Sequence, residues 1–77
     1  MESQIKEYST SDLALAAFLL MRGLKIKDAQ KISSGKFKFL FDDPKDRGKK
    51  LALDFVNSEI CEFDNQVRNL KKLIYNN

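Results

Sequence analysis

The 77-residue chain contains no histidine and a single cysteine, Cys61. Without an imidazole it lacks the usual general base of Ser/His or Cys/His catalysis and the commonest transition-metal ligand. One thiol leaves a structural zinc site without its ordinary donors. Gly23, Gly35 and Gly48 stand singly, whereas a phosphate-cradling loop needs glycines grouped ahead of a helix. No set of nucleophile, base and anion-stabilising groups remains, so no enzymatic activity, metal, cofactor or small-molecule substrate is expected. The longest apolar run, Leu13 to Met21, is far short of the roughly 20 residues that cross a bilayer. The start, "MESQIKEYST", is mixed in charge with no basic segment. Neither a signal peptide nor a membrane partner is predicted. A lone cysteine that cannot pair internally fits a reducing cytoplasm.

What is present is ordinary for a folded soluble domain, 43% hydrophobic and 32% charged. The length is near the lower limit at which one hydrophobic core holds without disulfides, metal or a partner. One domain over residues 1–77 is therefore expected, with 1–8 as a flexible N-terminal segment and 76–77 as a tail.

In "YSTSDLALAAFLLMRG", Thr10 or Ser11 can cap a first helix, Asp12 suits its positive end, and Gly23 suits the left-handed residue that closes it. At about 100° per residue, Leu13 and Leu20 point one way, Phe18 and Met21 another, Leu15 and Leu19 a third. A helix this apolar on all sides is either wrapped by the other elements or gives part of its surface to a dimer or partner interface. Leu15, Phe18 and Leu19 are the candidates for that interface.

After Gly23 the period changes to two. Leu24, Ile26 and Ile32 share one parity and Lys25, Lys27 and Lys31 the other, while Asp28, Ala29 and Gln30 blur the middle, where a bulge would fit. "SSG" makes a loop of about three residues. On the return strand Phe37, Phe39 and Phe41 share a face that should be core, and Lys36 and Lys38 take the other. "DDPKD" predicts a second helix with Asp43 as N-cap, Pro44 first in the helix and Asp46 completing a capping box. Capping accounts for aspartates that could otherwise suggest magnesium. Leu51, Ala52, Phe55 and Val56 form its buried stripe. "NSE" breaks the pattern, and a last helix runs from about Cys61 or Glu62 to Tyr75 with Phe63, Val67, Leu70 and Ile74 on one stripe, a surface helix packed on the core. The expected fold is α+β in the order α-β-β-α-α, one two-stranded antiparallel hairpin packed on three helices.

"YSTSDLALAAFLLMRG", then "FKFLFDD", then "LDFVN" followed by "LKKLIY" together resemble a small domain family of unknown function encoded mostly by phages and prophages. The resemblance covers residues 8 to 75 and rests mainly on structural motifs: an aromatic before a capped alanine-rich helix ending in glycine, then an aromatic strand ending in an acid. It implies a setting, phage biology inside a bacterial cytoplasm, and carries no catalytic residues to this chain.

Charge is uneven along the chain. Residues 1–23, 24–50 and 51–77 carry −1, +5 and −1. By strand alternation Lys25, Lys27, Lys31, Lys36 and Lys38 share the solvent face of the hairpin, where like charges repel. Three readings answer that crowding. The lysines can contact successive phosphates of DNA or RNA; they can keep a sheet edge soluble; or they can meet an acidic protein. Any nucleic-acid binding would follow the backbone, since the phenylalanines belong to the core and no arginine stands on the hairpin to read bases. The competing class is a protein-interaction module, a homodimer or a binder of a host or virion protein. The phosphate reading predicts DNA retention that falls steeply with salt and vanishes when Lys25, Lys27, Lys36 and Lys38 are replaced by Glu. No binding at about 50 mM salt, where such affinity is strongest, would remove it.

Overall fold

Six elements follow one another in the computed structural model, which describes residues 6–75: β1 (Glu7–Thr10), α1 (Leu13–Met21), β2 (Lys25–Ser33), β3 (Lys36–Asp42), α2 (Gly48–Val56) and α3 (Glu59–Tyr75). The strands form one antiparallel sheet in the order β1-β3-β2. The fold is α+β, but its order is β-α-β-β-α-α with three strands, not α-β-β-α-α with a two-stranded hairpin. The unforeseen element is "EYST". Four residues are too few to display an alternation, and β1 obtains its partner, β3, only from sequence some thirty residues on. Glu7 and Tyr8, expected in a flexible segment, therefore belong to a strand. Residues 1–5 and the tail 76–77 lie outside the described residues.

Asp12 is the N-cap of α1, its Oδ1 accepting from the Leu15 amide at 3.1 Å. Thr10 acts one step earlier, its Oγ1 accepting from the Asp12 amide at 3.0 Å. At the other end Gly23 takes a φ of 98°. The Leu24 amide then donates back to the Leu19 carbonyl and the Gly23 amide to that of Leu20, both at 3.1 Å, which is the Schellman pattern. Leu24 folds under into the core, and the chain passes from helix to β2 with no loop to spare. Ser34 and Gly35 make the turn between β2 and β3, Gly35 supplying a φ of 77°.

Asp43 is not the N-cap residue that was expected: Arg47 holds that position, with no side-chain capping bond of its own, and Asp43 reaches the opening amides of α2 from the turn before it. Its side chain is 2% exposed, and Oδ1 and Oδ2 accept from the amides of Arg47 and Gly48, each at 2.7 Å. Pro44 and Lys45 lie in a turn closed by the Asp46 amide on the Asp43 carbonyl at 3.0 Å, and Asp46 sits at φ 55°. No capping box forms, and α2 starts at Gly48. Ser58 opens α3, its Oγ accepting from the Cys61 amide at 3.2 Å, so the helix begins at Glu59, ahead of the expected Cys61 or Glu62.

α1 supplies half of the core. Leu15, Ala16, Phe18 and Leu19 pack with Leu24, Phe41, Leu51 and Phe55, and the rings of Phe18 and Phe55 meet edge-on with centroids 5.5 Å apart. Such a pair contributes about 0.5–1.5 kcal/mol beyond its area. The Arg22 guanidinium lies 4.6 Å from the Phe18 ring centroid. The aromatic face of β3 is core only in part: Phe41 is enclosed, Phe39 half-buried, and Phe37 is 44% exposed because the hairpin runs past the helices. The longest extent of the molecule is 58 Å.

Two substitutions test this framework. A Cβ at Gly48 would fall on the ring of Tyr8, so Gly48→Ala should cost about 1–3 kcal/mol, and less when Tyr8→Ala has removed the ring. Asp43→Ala leaves two amides uncapped and should cost about 1–3 kcal/mol. Thermal melts read both, at about 4–8 °C per kcal/mol for a domain of this size.

Candidate functional site

Register decides where the hairpin lysines go. On β3, Lys36, Lys38, Leu40 and Asp42 face outward and Phe37, Phe39 and Phe41 face the helices. Across from them, Lys25 pairs with Asp42, Asp28 with Leu40, Gln30 with Lys38 and Ser33 with Lys36. Ile26 pairs with Phe41, Ala29 with Phe39 and Lys31 with Phe37. The alternation slips between Ile26 and Asp28, where Lys27 is the extra residue, and again between Lys31 and Ser33, where Ile32 is. One extra residue reverses the face of everything beyond it. Lys31 consequently stands at a position on the helix-side face, away from Lys25, Lys36 and Lys38.

Lys27 is not free either. Its Nζ donates to the Glu7 carboxylate, reaching across β3 to β1. That hydrogen bond holds the amine above its ordinary pKa; partial desolvation opposes it, and the charges of Glu7 and Asp42 add to the rise. Because the folded pKa is raised, the pair's contribution is complete below the ordinary lysine range and is lost as pH climbs through the raised value. The pair is solvent-exposed and screened by salt. The outer face thus carries Lys25, Lys27, Lys36 and Lys38 interleaved with Glu7, Asp28 and Asp42. Acids that the sequence reading left out of the face offset the repulsion it identified.

The three candidate interface residues of α1 are in the core: Leu15, Phe18 and Leu19 are 9%, 1% and 0% exposed. The exposed side of the same helix carries Leu13, Ala17, Leu20 and Met21, at spacings of four, three and one, which is an apolar stripe of its own. Helical spacing could reveal that stripe, but in a helix apolar all round it could not say which of the two stripes faces out.

α3 contributes the larger unpartnered surface. Ile60, Cys61, Asp64 and Val67 are half-buried against the rest of the domain, and every residue from Arg68 to Tyr75 is exposed. Phe63, Leu70, Leu73, Ile74 and Tyr75 each leave more than half of their surface in water. Glu59, Glu62 and Asp64 occupy the first half of the helix, and Arg68, Lys71 and Lys72 the second. Arg68 pairs with Asp64 one turn back, at 2.9 Å. Cys61 Sγ lies 4.0 Å from the amide nitrogen of Asn65, and the thiol sits half-buried beside the core as a small packing group.

Asp43 has both oxygens committed to amides, and Asp46 faces Lys6 at 3.8 Å. Among the described residues no three His, Cys, Asp or Glu side chains gather where they could hold a metal ion. No helix among these residues is long and apolar enough to cross a membrane. An open groove of about 270 Å³ lies between Gly23–Lys25 and Asp42–Arg47, with Lys25, Lys45 and Arg47 around Asp42 and Asp43. Its charges are mixed, and it shows no convergence on a single ligand group.

Comparison with curated proteins and with solved structures gives no match. A family model does match, over residues 5–76, which is nearly the whole chain. The chain belongs to the family described as domain of unknown function DUF5659.

Proposed function

We propose that this domain is a small, non-enzymatic protein-interaction module whose apolar helix faces are covered by a protein partner. One observation carries the reading. Among the described residues thirteen large hydrophobic side chains stay exposed, against eight hydrophobic residues buried in the core. Scattered apolar residues on a surface are normal, but six of these line up on helices, Leu13, Leu20 and Met21 with Ala17 between them on α1, and Phe63, Leu70 and Ile74 on α3. Covering one such side chain gains roughly 1.5–3 kcal/mol. Association itself costs about 4–15 kcal/mol, so a partner must take several at once. A stripe meets that demand and an isolated residue does not. In the phage or prophage setting that the sequence resemblance implies, the partner is a second copy of the chain or a host or virion protein met in a bacterial cytoplasm.

A nucleic-acid backbone is the weaker reading. The +5 charge of residues 24–50 favours it. The Lys27–Glu7 pair, the Lys25–Asp42 register and the displacement of Lys31 all interrupt the row of cations that phosphates would follow.

Two double variants test the interaction reading: Leu20→Glu with Met21→Glu on α1, and Leu70→Glu with Ile74→Glu on α3. Exposed positions tolerate substitution within about 0.5 kcal/mol each, so circular dichroism and melting temperature should stay close to the parent. Association, read by sedimentation of the pure protein and by co-purification, should weaken at least tenfold in one of the variants. A parent chain that is monomeric to about 1 mM and recovers no partner would overturn the reading. So would variants that unfold, since the substituted side chains would then be core.

A further inference from the structure

We infer that the partner of α3 is α3 of a second copy, packed antiparallel across a two-fold axis. The inference rests on the interaction-module reading and names the partner for one of its faces.

Three features of the helix converge. Phe63, Val67, Leu70 and Ile74 recur at steps of four, three and four, the spacing of a seam between two helices. The second half of α3 leaves the domain altogether, with every residue from Arg68 to Tyr75 exposed, and Phe63 is exposed as well, so the seam is open to another molecule at Phe63, Leu70 and Ile74, with Val67 half-buried at its margin. Charge then selects the occupant and its direction. The first half holds Glu59, Glu62 and Asp64 with no base, and the second holds Arg68, Lys71 and Lys72 with no acid. A parallel neighbour would set acid beside acid and base beside base. An antiparallel copy sets each acidic half beside a basic one and also opposes the two helix dipoles favourably.

The register follows from the same residues. With the axis between Arg68 and Asn69, Phe63 meets the partner's Ile74 and Val67 meets the partner's Leu70. Each apolar layer is then filled twice by symmetry, as an isologous contact requires. Asp64 comes beside the partner's Lys71. Two heptads of free peptide would be too short to pair, but α3 is already held as a helix by α1 and α2. The ordering entropy of the seam is thereby largely removed from the association step.

Disulfide trapping reads both the existence and the direction of the pair. In a Cys61→Ala background, Phe63→Cys and Ile74→Cys chains are oxidised separately and as an equimolar mixture. The mixture should give the cross-linked heterodimer, at least tenfold more than either variant gives alone. In parallel, sedimentation of the unmodified chain should show a concentration-dependent dimer, and Lys71→Glu with Lys72→Glu should raise its dissociation constant about tenfold or more. Disulfides that form mainly within each separate variant would mean parallel helices and would overturn the inference. A chain that stays monomeric to about 1 mM would overturn it as well. If that monomer still captured another protein in a manner lost on Leu70→Glu with Ile74→Glu, the interaction-module reading would survive without the self-pairing. If it captured nothing, both would fall.

Discussion

Asp43 lies where three elements meet, and each of its polar atoms is committed to backbone at that junction. Its amide donates to the Lys6 carbonyl at 2.9 Å, beside β1, and its own carbonyl accepts from Asp46 to close the turn. The two carboxylate oxygens take the amides that open α2. A carboxylate buried to 2% exposure is tolerable only when its acceptors are filled, and here they are filled by backbone alone. The end of β3, the start of α2 and the approach to β1 are fixed relative to one another through this residue. Gly48, the second amide partner, is also the position whose missing Cβ admits the Tyr8 ring, so the cap and the third strand share one junction.

Around that junction the core is small, and α1 explains both its existence and its limit. Nine residues of nearly unbroken apolar sequence can face two ways at once. One side, Leu15, Ala16, Phe18 and Leu19, is consumed by the sheet and α2. The other remains in water, because three short strands and two further helices cannot surround a central helix in so short a chain. α3 repeats the pattern, anchored at its first half and free at its second. Stability and the proposed recognition thus draw on the same sequence feature, a surplus of apolar residues over the volume available to bury them.

Most of the local structure was legible in the residues. Gly23 closes α1, the period-two stretch after it makes β2 and β3, and Asn57 and Ser58 separate the last two helices. Asp43, expected at the N-cap of α2, serves that helix from the preceding turn, while Arg47 holds the N-cap position. What escaped was set by long-range pairing. β1 is strand only because β3 offers it an edge, so nothing within "EYST" could announce it. Of the five lysines assigned to one face only Lys31 was misplaced, because parity counts hold only in an unbroken ladder, and the extra residue at Lys27 is settled by register with Phe41 and Leu40. Leu15, Phe18 and Leu19 were candidates for an interface for want of any polar residue to orient α1; packing oriented it, and left Leu13, Leu20 and Met21 outside.

The same two slips in β2 have a consequence for the sheet as a whole. β2 is an edge strand of nine residues, long enough to template a neighbour through its open backbone groups. Straight, regular strands are what stack into cross-β ribbons. With Lys27 and Ile32 each breaking the ladder, the groups on the open edge fall out of step with any regular strand that might lie against them. The β2 edge is therefore a poor template for its own kind, so the association proposed for the helices is not accompanied by polymerisation through this strand.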